Sequence, residues 1–236
     1  MRMRKKLAAI GLMSLLLPIL ADAYLLPSTS VFQKAIQHRS GLKTVEWMAK
    51  VTDLKGNFVF QENLWVDFES GKLGANYLTP LNETLGSTQT TLASLSEFGK
   101  FWLTIGLDPS FVRARKAMQE LGVFPNPGDE AQLVRMGTRV AWAWGEGARI
   151  FFEKDDFSPL FYQSKPSAGS DAIAFLSFAV ASDKARIPKS VVFRSGGKDL
   201  YTFELKAIRV DLPLKEKPVP GSLQGSALKE WVSLVR

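Results

Sequence analysis

The sequence predicts an α+β fold in which antiparallel strands dominate and a few short helices cover them. Three observations carry this: an alternating stretch from Lys43 to Tyr77, a series of strand patterns from Val140 to Leu212, and helix-period segments between them. With 236 residues, 46% hydrophobic and 22% charged, the chain has the composition of a folded domain. No 20–50-residue period repeats, which argues against solenoids and propellers.

The chain opens with basic Arg2, Arg4, Lys5 and Lys6, an apolar run from Leu7 to Leu20, and the small-x-small triplet Ala21-Asp22-Ala23. This is the pattern of a cleaved secretory signal peptide over residues 1–23. The apolar run is shorter than a membrane span and is broken by Pro18. A single domain is expected over 24–236. The absence of cysteine excludes disulfides, thiolate zinc sites and a lipid anchor on cysteine. Of the formal charge of +7, the leader carries +3, leaving a mild +4. That balance, with export, argues against a nucleic-acid partner. Arg113, Arg115 and Lys116 could meet an anionic partner, but a solvated helix face is the reading favoured.

A first helix is expected around Ser30, which has capping-box spacing to Gln33, with Phe32, Ala35 and Ile36 on one face and Gly41 as its stop. In the hairpin that follows, Val45, Trp47, Ala49 and Val51 share a face, and Asp53, Gly56 and Asn57 form the turn. Phe58, Phe60, Leu64, Val66 and Phe68 align on the return limb, with Trp65 on the other face. Both faces therefore need cover, or one of them binds something apolar. Lys72–Leu78 reads as a third strand and Leu81–Thr91 as a polar loop.

Two helices are then expected. Ser94 and Glu97 have capping-box spacing ahead of Phe98, Trp102 and Ile105, and Gly106 ends the segment. Asp108 caps the next, with Pro109 at its first position, a stripe of Phe111, Ala114, Met118 and Leu121, and Gly122 as its close. Such stripes are most often core contacts. After Pro125, Pro127 and Gly128 the chain returns to extended structure. Val140, Trp142 and Trp144 alternate with small residues; Arg149–Lys154 and Phe157–Ser164 read as a hairpin across Asp155-Asp156. Ile173–Ala181, apolar on both faces, fits a buried strand or a helix, and strand is taken. Ser190–Arg194 pairs with Leu200–Leu212, where a one-residue phase slip predicts a β-bulge near Ala207. Residues 213–222 form a Pro-rich linker and 223–235 a possible terminal helix.

Catalytic chemistry has little to use. His38 is the one histidine and lies where it would cap a short helix. No G-x-S-x-G elbow or phosphate-cradling glycine loop occurs. Glu153, Asp155 and Asp156 lack calcium-loop spacing and read as a solvated turn. No enzyme, metal site or cofactor is expected, and a hydrolase using carboxylates from distant strands ranks third among the functions considered.

The run Val51-Thr52-Asp53, the turn at Gly56, then Leu64-Trp65-Val66 and an aromatic third strand resembles the start of the LolA family of periplasmic lipoprotein carriers. Ile187–Pro213, with its glycine turn and Val210-Asp211-Leu212-Pro213 ending, is similar to that family's closing hairpin, and Ala148–Leu160 also looks like it. The resemblance implies an unclosed antiparallel β-barrel with helices as a lid and an apolar cavity between them. It implies a periplasmic, Gram-negative setting and a monomeric soluble carrier without covalent chemistry. Such a carrier takes lipoprotein or lipid acyl chains from an inner-membrane transporter to an outer-membrane receptor. Each buried methylene is worth about 0.8 kcal/mol, so acyl chains crossing water need an apolar shelter. The implied lining is Trp47, Phe60, Leu64, Val66, Trp142, Trp144, Phe152 and Phe203, with Phe98, Trp102 and Phe111 from the lid. In the family an arginine two residues after the L-W-V run helps hold the lid; here Asp67 and Phe68 follow Val66. The runner-up is a β-rich module that binds or senses a protein partner. A carrier predicts a continuous cavity, a module a filled core with an exposed apolar patch.

Overall fold

A computed structural model describes residues 25–165, 170–180, 186–213 and 221–236. The leader and most of the Pro-rich linker, including Pro218 and Pro220, lie outside the described residues.

One antiparallel sheet of twelve strands organises the molecule. The strands are β1 (Leu26–Pro27), β2 (Thr44–Asp53), β3 (Phe58–Asp67), β4 (Lys72–Leu78), β5 (Thr84–Thr91) and β6 (Glu130–Met136). They continue with β7 (Arg139–Trp144), β8 (Arg149–Glu153), β9 (Pro159–Gln163), β10 (Ala172–Val180), β11 (Arg186–Ser195) and β12 (Lys198–Val210). Their spatial order is β1-β6-β7-β8-β9-β10-β11-β12-β2-β3-β4-β5, so β1 and β5 are the two ends and the sheet stays open. This is the predicted half-barrel. Because β5 and β6 lie near opposite ends, the chain between them crosses the inner face. It carries α2 (Glu97–Gly99, continuing in wider π-type turns over Lys100–Ile105) and α3 (Phe111–Glu120). The remaining helices are α1 (Ser28–Gln37) and α4 (Ser226–Val235).

The alternation on β2 and β3 sets the register. Val45 lies opposite Val66, Trp47 opposite Leu64 and Val51 opposite Phe60, so the apolar set of each strand faces inward together. The turn is held by the Asp53 carboxylate, which accepts from the Lys55 and Asn57 backbone N–H groups, both at 2.9 Å, and from Asn57 Nδ2 at 3.0 Å. The Asn57 side-chain bond holds the Asp53 carboxyl below its usual range. On β12, Leu205 pairs with Ala49 and Ala207 with Met48, leaving Lys206 unpaired. This is the bulge the phase slip predicts, and it lets Ile208 and Val210 face Trp47 and Val45.

Several boundaries differ from expectation. The segment read as a loop, Leu81–Thr91, contains β5, whose Thr, Ser and Gly residues lack apolar alternation and are held extended by pairing with β4. α1 begins at Ser28, after Pro27, with no side-chain cap from Ser30. Ser96, not Ser94, caps α2 by accepting from Gly99 N–H at 3.1 Å, while Ser94 bonds the hydroxyls of Thr90 and Thr91. Ser110, not Asp108, caps α3, which frees the Asp108 carboxylate for another role. The 172–180 segment is a strand; its Ile173 and Phe175 are buried in the core.

Candidate functional site

The candidate site is the inner face of the sheet together with the helices that cover it. Its centre is Trp102 on α2. This ring stacks on Trp47 at 5.3 Å and meets Phe203 edge-on at 4.6 Å and Phe193 at 5.4 Å. Phe98, one turn earlier, reaches Phe193 at 6.0 Å. Phe60 meets Tyr77 at 5.6 Å, and Leu64 and Val66 lie beside it in the buried row of β3. Toward the other end, Trp144 stacks on Phe152 at 5.2 Å. The indole N–H groups of Trp142 and Trp144 donate to the carbonyls of Lys154 and Val123, at 3.1 and 2.8 Å. Ten of the eleven residues named from sequence are therefore buried. Phe111 lies apart, 39% exposed, with its ring 5.2 Å from Phe32 of α1.

Side chains fill this interior. One surface groove, of about 380 Å³, is walled in part by Trp47 and Leu64, and another, of about 660 Å³, by Trp144. A third, about 630 Å³, lies at the end of α1 beside His38, Arg39 and Arg186.

Part of the filling comes from α4. Trp231 is fully buried and meets Phe193 at 4.9 Å, Tyr201 at 5.7 Å, Phe60 at 5.8 Å and Trp102 at 6.2 Å. Beneath it sits Glu62, also fully buried. Its carboxylate accepts from Trp231 Nε1 at 2.9 Å, Arg236 Nη2 at 2.9 Å and Trp47 Nε1 at 3.3 Å. Burial disfavours the Arg236 charge, yet neighbouring Tyr77 and Glu62 hold its pKa above the ordinary guanidinium value. Burial pushes the Tyr77 hydroxyl up to about 12, with Glu62 adding to the effect. Ser96 Oγ donates to Leu234 O at 2.6 Å and Tyr201 Oη to Glu230 at 2.8 Å, tying α4 to α2 and β12.

Two arginines tie the covering helices to each other and to the sheet. Arg113 of α3 donates to Asp108 at 2.5 and 2.8 Å and to the carbonyl of Phe68 at 2.5 Å. A guanidinium on α3 thus reaches the backbone just after β3. Arg39, after α1, donates through Nη1 to the carbonyl of Ile105, and its Nε and Nη2 have no hydrogen-bond partner. Burial pulls Arg39 down to about 10, opposed by nearby Asp108.

Sequence reasoning missed Glu62, Asp108, Arg113, Arg39 and Arg236. Glu62 was readable, because it shares the phase of Phe60, Leu64 and Val66 and so is a charge on an apolar row. Arg113 is not part of a solvated face: it spans α3 and the end of β3. His38 follows α1 as its C-cap, where its backbone N–H donates to the Lys34 carbonyl at 3.2 Å, and its ring lies 6.1 Å from Phe157. The carboxylates after β8 are turn groups, Asp156 pairing with Arg186 and accepting from Ser158 N–H at 2.9 Å. Burial, then Asp156, raises the Glu153 carboxyl above its usual value. Among the described residues no group of three or more His, Asp or Glu is placed to hold a metal ion, and no helix is long and apolar enough to cross a membrane.

No family profile matches the chain, and no curated protein is significantly similar to it. Among solved structures it is similar to a LolA superfamily protein from Nitrosomonas europaea, at 11% identity and TM-score 0.44, covering 80% of this chain and 96% of that one. A candidate outer membrane lipoprotein-sorting protein domain from Vibrio parahaemolyticus aligns at 9% identity and TM-score 0.43, over 79% and 93% of the two chains. A DUF1329 family protein from Desulfovibrio piger aligns at 10% identity and TM-score 0.41, over 80% and 95%.

Proposed function

We propose that this chain is a periplasmic carrier that shelters the acyl chains of a lipoprotein or another lipid on the inner face of its half-barrel. The observation that carries the reading is the nature of the cover. The aromatic inner face is closed by short helices rather than by a second sheet. Besides the buried rings of Trp102 and Trp231, point contacts such as Arg113 to Phe68 O and Tyr201 Oη to Glu230 join those helices to the sheet side. A cover of that kind can lift while the sheet keeps its hydrogen bonds. The ten buried aromatic and aliphatic residues named above, Trp102 and Trp47 foremost, would then meet the acyl chains, with Phe111 left outside. Transfer needs no bond making, since burial of methylenes supplies the affinity. An inner-membrane donor and an outer-membrane acceptor are the partners this reading calls for, with the carrier acting as a monomer.

One observation favours the second reading, a module that binds a protein partner: the interior is filled, as such a module would have it. The two separate in one experiment. Protein purified without detergent is extracted with organic solvent and analysed by mass spectrometry, and the emptied protein is offered a triacylated lipoprotein. Stoichiometric acylated ligand, lost when Trp142 and Trp144 are replaced by Glu, supports the carrier. Protein that is ligand-free as purified and takes up no lipoprotein refutes it.

A further inference from the structure

If the interior is a ligand chamber, a covering element that fills part of it and can leave marks where the ligand goes. This inference rests on the carrier reading and adds the location and chemistry of the site. α4 is attached differently from the other helices. The segment before it runs along the outer edge of β5, with Gly221 N–H on Ser87 O at 3.2 Å and Gln224 N–H on Leu85 O at 2.8 Å. The helix then enters the inner face and buries Leu228, Trp231 and Val235 completely or nearly so.

Two glycines make room for it. A Cβ on Gly86 would collide with the Ser222 carbonyl, and one on Gly99 with the Val235 carbonyl. Gly99 has φ −63° and ψ −41°, an ordinary helical conformation that alanine adopts more readily than glycine. Glycine there serves the fit of α4 rather than the backbone of α2.

Two polar groups in the chamber also point to an exchangeable occupant. Glu62 takes two of its three N–H donors from α4 and the residue that ends it, namely Trp231 Nε1 and Arg236 Nη2. Trp102, fully buried against Trp231, has an Nε1 with no hydrogen-bond partner. When α4 leaves, a buried carboxylate keeps only Trp47, so the replacement must bring a donor of its own.

We infer that the space held by α4, between Phe60, Trp102, Phe193 and Tyr201, is the acyl-chain site, that α4 swings out on loading, and that Glu62 selects a ligand whose polar end carries an N–H donor. A fatty carboxylate is disfavoured because it would place a second negative charge beside Glu62.

The chain has no cysteine, so single thiols report cleanly. Val235→Cys places one under α4, and Ile150→Cys places one on β8 as a monitor of global opening; both positions are fully buried. Maleimide labelling is followed with oleamide, with oleic acid and with no lipid, and binding is read in parallel by native mass spectrometry. The expected result is at least tenfold faster labelling at 235 with oleamide, little change with oleic acid, and protection at 150 throughout. Gly99→Ala should speed labelling at 235 without lipid, and Glu62→Gln should erase the preference for the amide. Oleamide bound with position 235 still protected overturns the inference and leaves the carrier reading standing. A Gly99→Ala protein that exposes position 235 yet binds neither probe overturns both. Equal binding of the two probes to the protein with Glu62 intact overturns the role given to Glu62.

Discussion

Replacing Glu62 tests whether α4 is held by one buried charge pair. The Glu62 and Arg236 side chains are 0% and 4% exposed and lie 2.9 Å apart. Glu62→Ala strands the Arg236 guanidinium and the indole N–H groups of Trp47 and Trp231 away from water. Removing one partner of a buried pair costs about 3–5 kcal/mol. Arg236 Nε and Nη1 already lack partners, which places the loss at the lower end of that range. For a domain of this size each kcal/mol lowers Tm by about 2–4 °C, so about 3 kcal/mol is a fall of roughly 6–12 °C. The loss can also be met by releasing α4 alone, so urea unfolding is paired with hydrogen exchange of the 226–235 amides. The double variant Glu62→Leu/Arg236→Met removes both charges and should recover most of the stability, because apolar isosteres of buried pairs are often neutral or better. A Glu62→Ala protein within about 1 kcal/mol of the parent, with unchanged exchange in α4, refutes the reasoning. So do Glu62→Ala and Arg236→Ala effects that simply add.

Other consequences follow from the same geometry. Arg113→Ala leaves the fully buried Asp108 carboxylate without its hydrogen-bonded cation, with only Arg39 nearby; the lost guanidinium is 32% exposed, so a discounted loss of about 2–3 kcal/mol is expected, read from the urea midpoint. Adding Asp108→Asn should return a good part of it. Trp102→Ala removes the ring at the centre of the aromatic cluster and should cost about 3–5 kcal/mol by thermal or urea unfolding. Glu153 has its carboxyl raised by burial and by Asp156, so its folded form favours the proton. Its contribution is present below the ordinary carboxyl range and is lost as pH rises through the folded value. Glu153→Gln should therefore match the parent in Tm near pH 3 and exceed it near pH 7.

What could be read in advance follows the strength of the local signal. The β2–β3 hairpin and the Lys206 bulge were legible because strict alternation, and one slip in it, arise from little besides a paired strand with one covered face. β5 was not, since Thr84–Thr91 has no apolar period and is a strand only because β4 offers it an edge. Caps moved by two residues where several serines and aspartates competed, as at Ser94 and Ser96 or Asp108 and Ser110. α4 was foreseen as a helix, but amphipathicity says that Leu228, Trp231 and Val235 must be covered and not by what. The interior aromatics were identified as a group. Whether they enclose space or fill it depends on helix placement, which no periodicity contains. Glu62 is the instructive omission: a carboxylate in phase with Phe60 and Leu64 is a stronger pointer to the site than any of the aromatics around it.

The neighbourhood of β12 and β2 shapes how the molecule is made. Thr52 and Thr202 touch across that seam although 150 residues separate them. Bringing such distant partners together costs about 4–5 kcal/mol of chain entropy before any pairing compensates. The β2–β5 meander can form from local contacts, but it must wait, with one flank of β2 unpaired, until the last strand arrives. During that interval the flank is a template on which the β12 segment of another molecule fits as well as the chain's own. Refolding should accordingly be slow for the chain's length, with a yield that falls as protein concentration rises while the observed rate constant stays the same.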